Sequence, residues 1–450
     1  MTIEALYQLF SAGSGVCTDS RSPLPGSIFF ALKGEHFNGN RYAADALRGG
    51  CRYAVVDEPI PNAQADSRII YTPRGVLPTL SALATYHRDR LGTPVIAITG
   101  TNGKTTTKEL LAAVLAKQYN VLYTQGNLNN QVGVPLTLLR LKPEHQLAVI
   151  EMGANHPNDI RDLVQIAHPN YGIITNIGKA HLQGFGSLEG VKKAKGALYD
   201  YIRATQGVLF VHTDDHTLAQ MARGIKAVSY GTSEGNAAVR GTLLPESQEG
   251  LMRLGWSCPS MGPDQEGSCQ THLVGRYNLP NALAAVAAGC FFGVPAPLIN
   301  QALEEYTPDN SRSQLIPHTA LGNRLVVDAY NANPSSMRPA LDNLLSMPLT
   351  GDLRDRVLLL GDMNELGAES QAEHTRVLEY LQRMPRAFTA AYLCGPCFYA
   401  LKDLFAAPNL HFYPHTQALR EALTRHPLRS SLILLKGSNS LHIASLAELC

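Results

Sequence analysis

The chain has 450 residues, of which 45% are hydrophobic and 17% charged, and its formal net charge is +1 at pH 7. At roughly 150 residues per domain the length indicates about three domains, and the hydrophobic share suffices for packed cores, which argues against disorder as the main state. The balanced charge provides no global basic field that would point to nucleic acid or anionic lipid.

Residues 1–82 are predicted to form a small mixed α/β domain. SIFFALKG (27–34) predicts a strand that enters a glycine turn, and CRYAVVDEP (51–59) predicts a second strand. Between them YAADALRGG predicts a short helix with a glycine stop. The first residues, MTIEALYQLF, show neither a basic region nor a cleavage site of small residues, so we expect no signal peptide.

A helix predicted around 80–91 leads into the predicted central domain, 83–311, in which strands and helices alternate from Pro94 onwards. Its predicted buried strands are VIAITG, NVLYT, QLAVIEMG, YGIITNIG and VLFVH. This alternation predicts parallel strands that are covered on both faces. Residues 230–272 are more polar and predict short antiparallel strands or a variable insertion. A helix over about 280–292 closes this domain.

The same alternation restarts near residue 312 and predicts a third, Rossmann-like doubly wound domain over 312–450. Its predicted strands are RLVVDAY, RVLLLGD, AAYLCG, LHFYP and SLILLKG. The longest uncharged stretch of the chain, 277–303, contains three prolines and several amides, so a buried alanine-rich helix explains it better than a membrane span. Eight cysteines in 450 residues do not form a disulfide framework, and we expect a cytoplasmic protein.

One glycine-rich segment follows a buried strand and opens a helix, as a phosphate-binding loop does. It consists of Gly100, Thr101, Asn102, Gly103, Lys104, Thr105 and Thr106. Backbone N–H groups and the helix N-terminus suit phosphate oxygens, Lys104 can reach the β- and γ-phosphates, and the Thr105 hydroxyl suits Mg²⁺. Ile98 stands where the general motif has its first glycine, and the alternative is a glycine turn with an incidental lysine.

Cys394-Gly-Pro-Cys397 has the spacing of a thioredoxin-type dithiol. A redox role requires a lowered thiol pKa. The alternative, which we favour, is a strand end and turn that carries two thiols.

Motifs in each third of the chain resemble the Mur ligase family, the ATP-dependent amide-forming enzymes of peptidoglycan precursor synthesis. They are GTNGKTT (100–106), GNLNNQVGVPLTLL (126–139), VIEMGANHPNDI (149–160), NIGKAHLQGFGSLEGVKKAKG (176–196), GRYNLPNALAA (275–285), DAYNANPSSM (328–337), LLLGDMNELG (358–367) and LLKGS (434–438). The resemblance covers essentially the whole chain. It implies that the first domain binds a UDP-sugar, the second ATP and the third the amino substrate.

Within this family, YNANP (330–334) resembles the branch that adds D-alanyl-D-alanine to UDP-N-acetylmuramoyl-tripeptide through an acyl phosphate. The DNPR-type sequence of the diamino-acid-adding branch is absent from this sequence. A folylpolyglutamate synthetase is a further alternative, against which GNLNN and the UDP-type first domain argue. A non-catalytic nucleotide-binding protein is another, against which an intact set of catalytic residues argues.

Four residues are the predicted catalytic set: Lys104, Glu151, His181 and Lys195. Glu151 ends a buried strand beside the phosphate crevice, where a carboxylate can hold Mg²⁺ opposite Thr105. A lone histidine is more often structural, but the resemblance assigns His181 to catalysis and to the metal. It also implies that Lys195 reacts with CO₂ to become a carbamate and a metal ligand. The alternatives are a solvated acid for Glu151 and a surface lysine for Lys195.

The resemblance also assigns residues to the nucleotide. Asn278 and Asn281 stand at i and i+3 and can face one ligand, although helix capping competes for Asn278. Arg312 resembles the arginine that reaches the ATP phosphates, and Asp328 the acid at the ribose.

The remaining assignments concern the two other substrates. For the amino substrate they are Tyr330, Asn331, Asn333 and Lys436, and for the UDP-sugar Ser20, Arg21, Lys33, Gly34, Asn127 and Asn129. The alternative for Tyr330, Asn331 and Asn333 is an Asn-rich turn with Pro334 at the first helical position. The alternatives for Ser20-Arg21 and Lys33-Gly34 are a common turn and the exit from a strand. We expect a monomer whose domains close around the substrates.

Overall fold

The computed structural model describes residues 1–60, 66–232, 236–245, 247, 250–262, 265–309 and 311–450. Three sheets follow one another along the chain, and a two-stranded ribbon accompanies the first. The strands of these sheets fall within the predicted ranges 1–82, 83–311 and 312–450. The limits of the domains remain a prediction, because one continuous helix crosses the first of them.

The first sheet has four parallel strands in the order β1-β2-β5-β6. The elements of this part are α1 (Ile3–Ser11), β1 (Val16–Cys17), β2 (Ile28–Phe30), β3 (Lys33–Gly34), β4 (Phe37–Asn38), α2 (Ala43–Arg48), β5 (Tyr53–Val56) and β6 (Ile69–Tyr71). The prediction of one strand over 27–34 is wrong in its second half. The chain turns at Leu32, whose N–H donates to the carbonyl oxygen of Phe30 (2.9 Å), and residues 33–34 pair with β4 instead.

The central sheet has nine strands in the order β15-β14-β13-β12-β11-β10-β7-β9-β8. Helix α3 (Val76–Leu91) precedes it, and its strands are β7 (Val95–Thr99), β8 (Val121–Tyr123), β9 (Leu147–Glu151), β10 (Tyr171–Ile174), β11 (Val208–His212), β12 (Ala227–Thr232), β13 (Val239–Leu244), β14 (Leu251–Ser257) and β15 (Glu266–Val274). Strands β7 to β13 pair in parallel, whereas β13, β14 and β15 pair antiparallel. The antiparallel strands expected within 230–272 therefore extend the central sheet at one edge.

After α3, the described residues of this central part contain eight α-helices. They are α4 (Lys104–Ala116), α5 (Gly133–Leu138), α6 (Asp159–Ala167), α7 (Leu182–Phe185), α8 (Leu188–Ala204), α9 (His216–Met221), α10 (Leu279–Phe291) and α11 (Ala296–Glu305). The alanine-rich helix predicted in place of a membrane span is α10, which lies in the core against α4. Within the part of the chain that the structure describes, no helix combines the length and apolar character that crossing a bilayer requires.

The third sheet has six strands in the order β16-β17-β21-β18-β19-β20, of which only β16, at the edge, pairs antiparallel. The elements are β16 (Gln314–Ile316), β17 (Arg324–Val327), α12 (Pro334–Ser346), β18 (Asp355–Gly361), α13 (Ser370–Arg383), β19 (Ala390–Cys394), α14 (Pro396–Tyr399), β20 (Leu410–Tyr413), α15 (Thr416–Arg425) and β21 (Ser431–Lys436). The protein is thus an α/β protein with parallel-sheet domains, and the predicted fold class is confirmed.

The order of strands positions a site. Strand β7 lies between β9 and β10, and all three run in the same direction, so their carboxyl ends meet at one edge. After β7 the chain forms β8 and β9 on one side of this strand and then crosses to β10 on its other side. Such a reversal of strand order creates the crevice where open α/β sheets bind ligands.

Candidate active site

A cavity of about 880 Å³ lies between the central and the third sheet. Its walls come from the loop before α4, the ends of β9 and β10, the start of α10, and the loop after β17. Residues that are far apart in sequence therefore meet in one space. The cavity contains most of the residues that the sequence predicted for ATP and the amino substrate.

The phosphate loop is fixed by hydrogen bonds to the segment after β10. The N–H of Thr101 donates to the carbonyl of Asn176 and the N–H of Asn102 to its side-chain oxygen, both at 3.0 Å. Gly103 has a φ of 77°, and a Cβ there would lie 2.5 Å from Oδ1 of Asn281. Only glycine combines this backbone conformation with so close an approach, so the loop presents its backbone to the cavity.

Lys104 begins α4 and folds over this loop. Its Nζ donates to the carbonyl oxygens of Gly100 (2.9 Å) and Thr101 (3.1 Å). The pKa of Lys104 is lowered to about 8, mainly by burial, which outweighs the opposing effect of the Glu151 charge; the charge of Arg312 adds a smaller lowering effect. The ammonium is thus held where positive charge is unfavourable, and a phosphate anion in the cavity would stabilise it.

Glu151 ends β9 and lies on the opposite wall with only 1% of its surface exposed. Its Oε1 accepts hydrogen bonds from the Thr105 hydroxyl (3.2 Å) and from the Asn129 amide (2.8 Å). The alternative of a solvated strand-end acid is therefore wrong. A carboxylate and a hydroxyl this close together are the hard oxygen donors that Mg²⁺ prefers, so this pair fits the ion.

His181 and Lys195, the other predicted metal ligands, occupy different environments. His181 lines the cavity, has a φ of 52°, and pairs through Nδ1 with the Glu365 carboxylate of the third domain. Lys195 is not among the cavity-lining residues. It is 2% exposed on α8, with Nζ 5.8 Å from the centre of the Phe185 ring, so the alternative of a surface lysine is wrong. Burial and the charge of Lys104 lower the pKa of Lys195 well below its ordinary value.

Asn278 and Asn281 both line the cavity and form one network. Nδ2 of Asn281 donates to Oδ1 of Asn278 (2.8 Å), and the Thr107 hydroxyl donates to Oδ1 of Asn281 (3.1 Å). Asn278 does stand at the N-cap position of α10, as the capping alternative expects, but its side chain makes no capping hydrogen bond and its amide donates instead to the carbonyl of Val274 (2.9 Å).

Arg312 and Asp328 contribute charges from the junction of the central and third domains. The guanidinium carbon of Arg312 lies 3.5 Å from the centre of the Tyr330 ring, which orients both side chains. Nζ of Lys436 lies 2.6 Å from Oδ2 of Asp328 and is almost completely buried. Lys436 therefore has a carboxylate partner within the third domain, although the sequence assigned the two residues to different ligands.

Asn331 and Asn333 make hydrogen bonds to different parts of the protein. Asn333 caps α12 with the predicted Pro334 at the first helical position, and its Nδ2 also donates to Oδ1 of Asn102 in the phosphate loop (2.8 Å). Asn331 lines the cavity, and its carbonyl accepts from Nζ of Lys436 at 3.4 Å. The turn alternative thus explains Asn333 locally, yet the same residue joins the third domain to the phosphate loop.

The residues predicted for the UDP-sugar lie in two places. Asn127 and Asn129 line the central cavity. Ser20, Arg21, Lys33 and Gly34 do not line it and lie in the first domain. Arg21 pairs with Asp19 (2.8 Å), and Lys33 pairs with Asp57 and Glu58 (both 2.9 Å).

Two contacts between the central and third domains were not predicted. Nζ of Lys179 lies 2.8 Å from Oε1 of Glu373, which is buried, and the N–H of Lys179 donates to the Ser335 hydroxyl (2.9 Å). Glu365 is the partner of His181. Lys179 and Glu365 lie within motifs that carry the family resemblance, but only the tertiary structure assigns them a partner.

The two cysteines of the CGPC segment lie where β19 gives way to α14. Burial raises the pKa of both thiols, whereas a redox role requires a lowered one. Sγ of Cys397 also lies near Asp362 and His374, a trio with metal-binding residue types. However, both oxygens of Asp362 accept backbone N–H groups at the start of α14, and Nε2 of His374 accepts the N–H of Met363 (3.0 Å), so these groups are already hydrogen-bonded.

Comparisons with known proteins show which chains this one is similar to. A family model described as Mur ligase middle domain matches residues 98–289, and one described as Mur ligase, glutamate ligase domain, matches residues 311–439. The UDP-N-acetylmuramoyl-tripeptide–D-alanyl-D-alanine ligase of Bacillus subtilis is 32% identical over 96% of this chain and 92% of its own length. The enzyme of the same name from Escherichia coli is 36% identical over 81% and 78%. A crystal structure of MurF from Acinetobacter baumannii matches with a TM-score of 0.84 and 32% identity, covering 98% of this chain and 97% of the other.

Proposed function

Because this chain belongs to the Mur ligase family, we propose that it is the ATP-dependent ligase that joins D-alanyl-D-alanine to UDP-N-acetylmuramoyl-tripeptide. The product is the UDP-N-acetylmuramoyl-pentapeptide precursor of peptidoglycan. The observation that carries the proposal is the shared cavity, in which the phosphate loop of the central domain faces the Tyr330–Asn331 turn of the third. The nucleotide that donates the phosphoryl group and the amine that attacks the acyl phosphate can therefore meet in one space.

The phosphate loop binds the ATP phosphates. Backbone N–H groups around Gly103 and the N-terminus of α4 receive the phosphate oxygens, and Lys104 turns from the loop carbonyls to the β- and γ-phosphates. Asn278 and Asn281 contact the nucleotide, Asp328 the ribose, and Arg312 the phosphates.

Thr105 and Glu151, together with His181 and a carbamylated Lys195, would hold Mg²⁺, which when bound neutralises phosphate charge. The lowered pKa of Lys195 supports this assignment, since CO₂ reacts with a neutral amine. The carbamate would place a negative charge at this buried position beside Lys104, whose positive charge makes an anion favourable there.

The two remaining substrates approach from different sides. Tyr330, Asn331, Asn333 and Lys436 receive D-alanyl-D-alanine, and their position on the third domain supports this. The UDP-sugar is bound by the first domain through Ser20, Arg21, Lys33 and Gly34, while Asn127 and Asn129 are placed to contact its peptide-bearing end in the cavity. The protein works in the cytoplasm as a monomer.

The reaction has two steps. The terminal carboxylate of the tripeptide attacks the γ-phosphorus of ATP, the bond to the bridging oxygen breaks, and ADP leaves an acyl phosphate behind. The amine of D-alanyl-D-alanine then attacks the acyl carbon, the tetrahedral intermediate expels inorganic phosphate, and the nitrogen releases one proton. The side chains act mainly by positioning the reactants and by offsetting negative charge.

The test is phosphate release from ATP with UDP-N-acetylmuramoyl-tripeptide and each of four amines: D-alanyl-D-alanine, meso-diaminopimelate, L-lysine and L-glutamate. UDP-N-acetylmuramoyl-dipeptide is run in parallel. We expect turnover only with the tripeptide and D-alanyl-D-alanine, together with the mass of the pentapeptide product. Turnover with the dipeptide and a diamino acid would instead assign the chain to the diamino-acid-adding branch, and ATP binding without any turnover would favour a non-catalytic protein.

A further inference from the structure

Lys108 is completely buried in the central domain, one helical turn after Lys104 on α4. Its Nζ lies 3.4 Å from Oε1 of Glu109 and 3.9 Å from Oε2 of Glu151. Among the described residues, neither Nζ of Lys108 nor Oε2 of Glu151 has a hydrogen-bond partner. In the described part of the chain, the only ion pairs of these two groups are the one between them and the one between Lys108 and Glu109. A buried charge without such compensation is very unfavourable.

The two oxygens of the Glu151 carboxylate face different surroundings. Oε1 is held by Thr105 and Asn129, which both line the cavity. Oε2 points to Lys108, which is not among the cavity-lining residues. The carboxylate thus lies between the cavity on one side and a buried ammonium on the other.

A second contact keeps Lys108 in place. The Tyr306 hydroxyl, at the end of α11, donates to Oε2 of Glu109 at 2.6 Å, while Oε1 of Glu109 faces Lys108. The ring of Tyr123 lies 5.9 Å from Nζ and adds a weaker attraction. The ammonium is therefore fixed from several directions at once.

We propose that Lys108 is a positioning residue, whose ammonium offsets the charge of Glu151 from the side away from the cavity and keeps the carboxylate directed towards Thr105. At a separation of about 4 Å in a protein interior, such a pair attracts far more strongly than it would in water. The proposal rests on the proposed function for the task of Glu151. The coupling between the two residues can nevertheless be measured without turnover.

The competing explanation is that Lys108 only fills space with its aliphatic stem. The variant Lys108→Met keeps a stem of similar length and removes the charge. Glu151→Gln removes the opposite charge at nearly constant shape, and the double variant leaves a neutral pair. Lys117→Met, just past the end of the same helix, is the matched control, because Lys117 pairs instead with Glu305 (2.5 Å).

The experiment is a double-mutant cycle on the urea unfolding of the full chain without nucleotide or metal. We expect Lys108→Met to raise the unfolding equilibrium constant at least about tenfold more in the wild-type background than in the Glu151→Gln background, since only the former leaves an unpaired buried carboxylate. Additive effects would overturn the proposal. If Lys108→Met alone does not fold, a folded double variant supports the pairing, and an unfolded one contradicts it.

Steady-state kinetics provide the second readout. Lys108→Met should lower kcat by about ten- to a hundredfold and leave the KM values for ATP, the UDP-tripeptide and D-alanyl-D-alanine within about threefold, because it disturbs a charge that acts on the reacting phosphate. An unchanged kcat in a folded variant would contradict a positioning role. Failure of the wild-type protein to ligate D-alanyl-D-alanine would reject the proposed function alone, since the unfolding cycle does not depend on it.

Discussion

The central and first domains hold their predicted ligand-binding residues in opposite ways. In the central domain, Glu151 and Asn281 are at least nine-tenths buried, and each is hydrogen-bonded by another residue of the site. In the first domain, the side chain of Arg21 is 88% exposed and pairs with Asp19, only two residues away. The central set is part of the folded core, whereas Arg21 is a surface group with little effect on stability.

This difference predicts how the buried residues of the central domain and the exposed residues of the first domain respond to substitution. Changing a buried site residue disturbs its partners, so stability and ligand binding change together. Changing an exposed one affects only the ligand that it contacts. Four variants or conditions test this contrast, beginning with the largest expected effect.

Lys104→Met should lower kcat at least about a thousandfold, because the variant removes the cation that neutralises the transferring phosphate. Lys104 is the exception among the buried site residues, because its variant should not make the nucleotide-free protein less stable: burial disfavours the charged form of this lysine. Phosphate release and thermal unfolding measure the two effects, with Lys117→Met as the control. Activity within about tenfold of the wild type would show that Lys104 does not serve the phosphates.

Asn281→Ala should destabilise the protein by about 1–3 kcal/mol, because it leaves the Thr107 hydroxyl and the Asn278 side chain without their partner. ADP affinity should fall by about ten- to a hundredfold as the packing against Gly103 loosens. Urea unfolding and calorimetric titration with ADP measure these changes. Asn409→Ala removes an exposed amide that bonds to Pro385 and should change neither. A loss of stability with unchanged ADP affinity would separate the buried network from the site.

The affinity for ADP should decrease as the pH rises above about 8, the value to which burial lowers the pKa of Lys104. The decrease should approach about tenfold per pH unit, because the neutral amine no longer attracts phosphate. The effect of Lys104 on the stability of the nucleotide-free protein changes with pH in the opposite direction. Between about 8 and 10.5 the unfolded chain binds more protons at this lysine than the folded one, so the nucleotide-free protein gains stability as pH rises.

Calorimetric ADP titrations between about pH 7 and 9.5 test the prediction for Lys104. The Lys104→Met variant serves as the reference. It should lose the part of the pH dependence of ADP affinity that comes from Lys104. An identical pH dependence in the variant would assign the effect to another group.

Arg21→Ala should raise the KM for the UDP-tripeptide by about three- to tenfold and leave kcat and the melting temperature unchanged. Arg48→Ala is the matched control, since Arg48 is also exposed in the first domain and pairs with Asp45, but is not predicted to contact a ligand. Steady-state kinetics and thermal unfolding decide the outcome. A fall in melting temperature as large as that of Asn281→Ala would contradict the contrast between the two regions.

The sequence predicted the parts of the fold and site that depend on local pattern. Buried strand VIAITG, the glycine turn and the start of α4 follow one another as expected, because such a run has few alternative conformations. The strand predicted over 27–34 was wrong in its second half. An apolar run indicates burial but does not reveal the turn at Leu32, which depends on a hydrogen bond within the turn.

The rest of the site depends on contacts between distant segments. The pairing of Lys179 with Glu373 joins residues 194 positions apart, and neither residue type nor spacing reveals it. Lys108 likewise has the sequence context of an ordinary helix lysine. Its burial follows only from the packing of α4 against neighbouring elements, which a single sequence does not specify.

Helix α3 has a practical consequence for anyone who divides this protein into pieces. It runs without interruption over Val76–Leu91, across the boundary predicted at residue 82, and Leu80 and Leu83 are both buried. Farther along the helix, Nε of Arg88 donates to the carbonyl of Ala167 at the end of α6 (2.9 Å). A recombinant fragment beginning at residue 83 would start within a helix and expose apolar surface. Fragments for expression or limited proteolysis should therefore keep α3 whole and attached to the nucleotide-binding part.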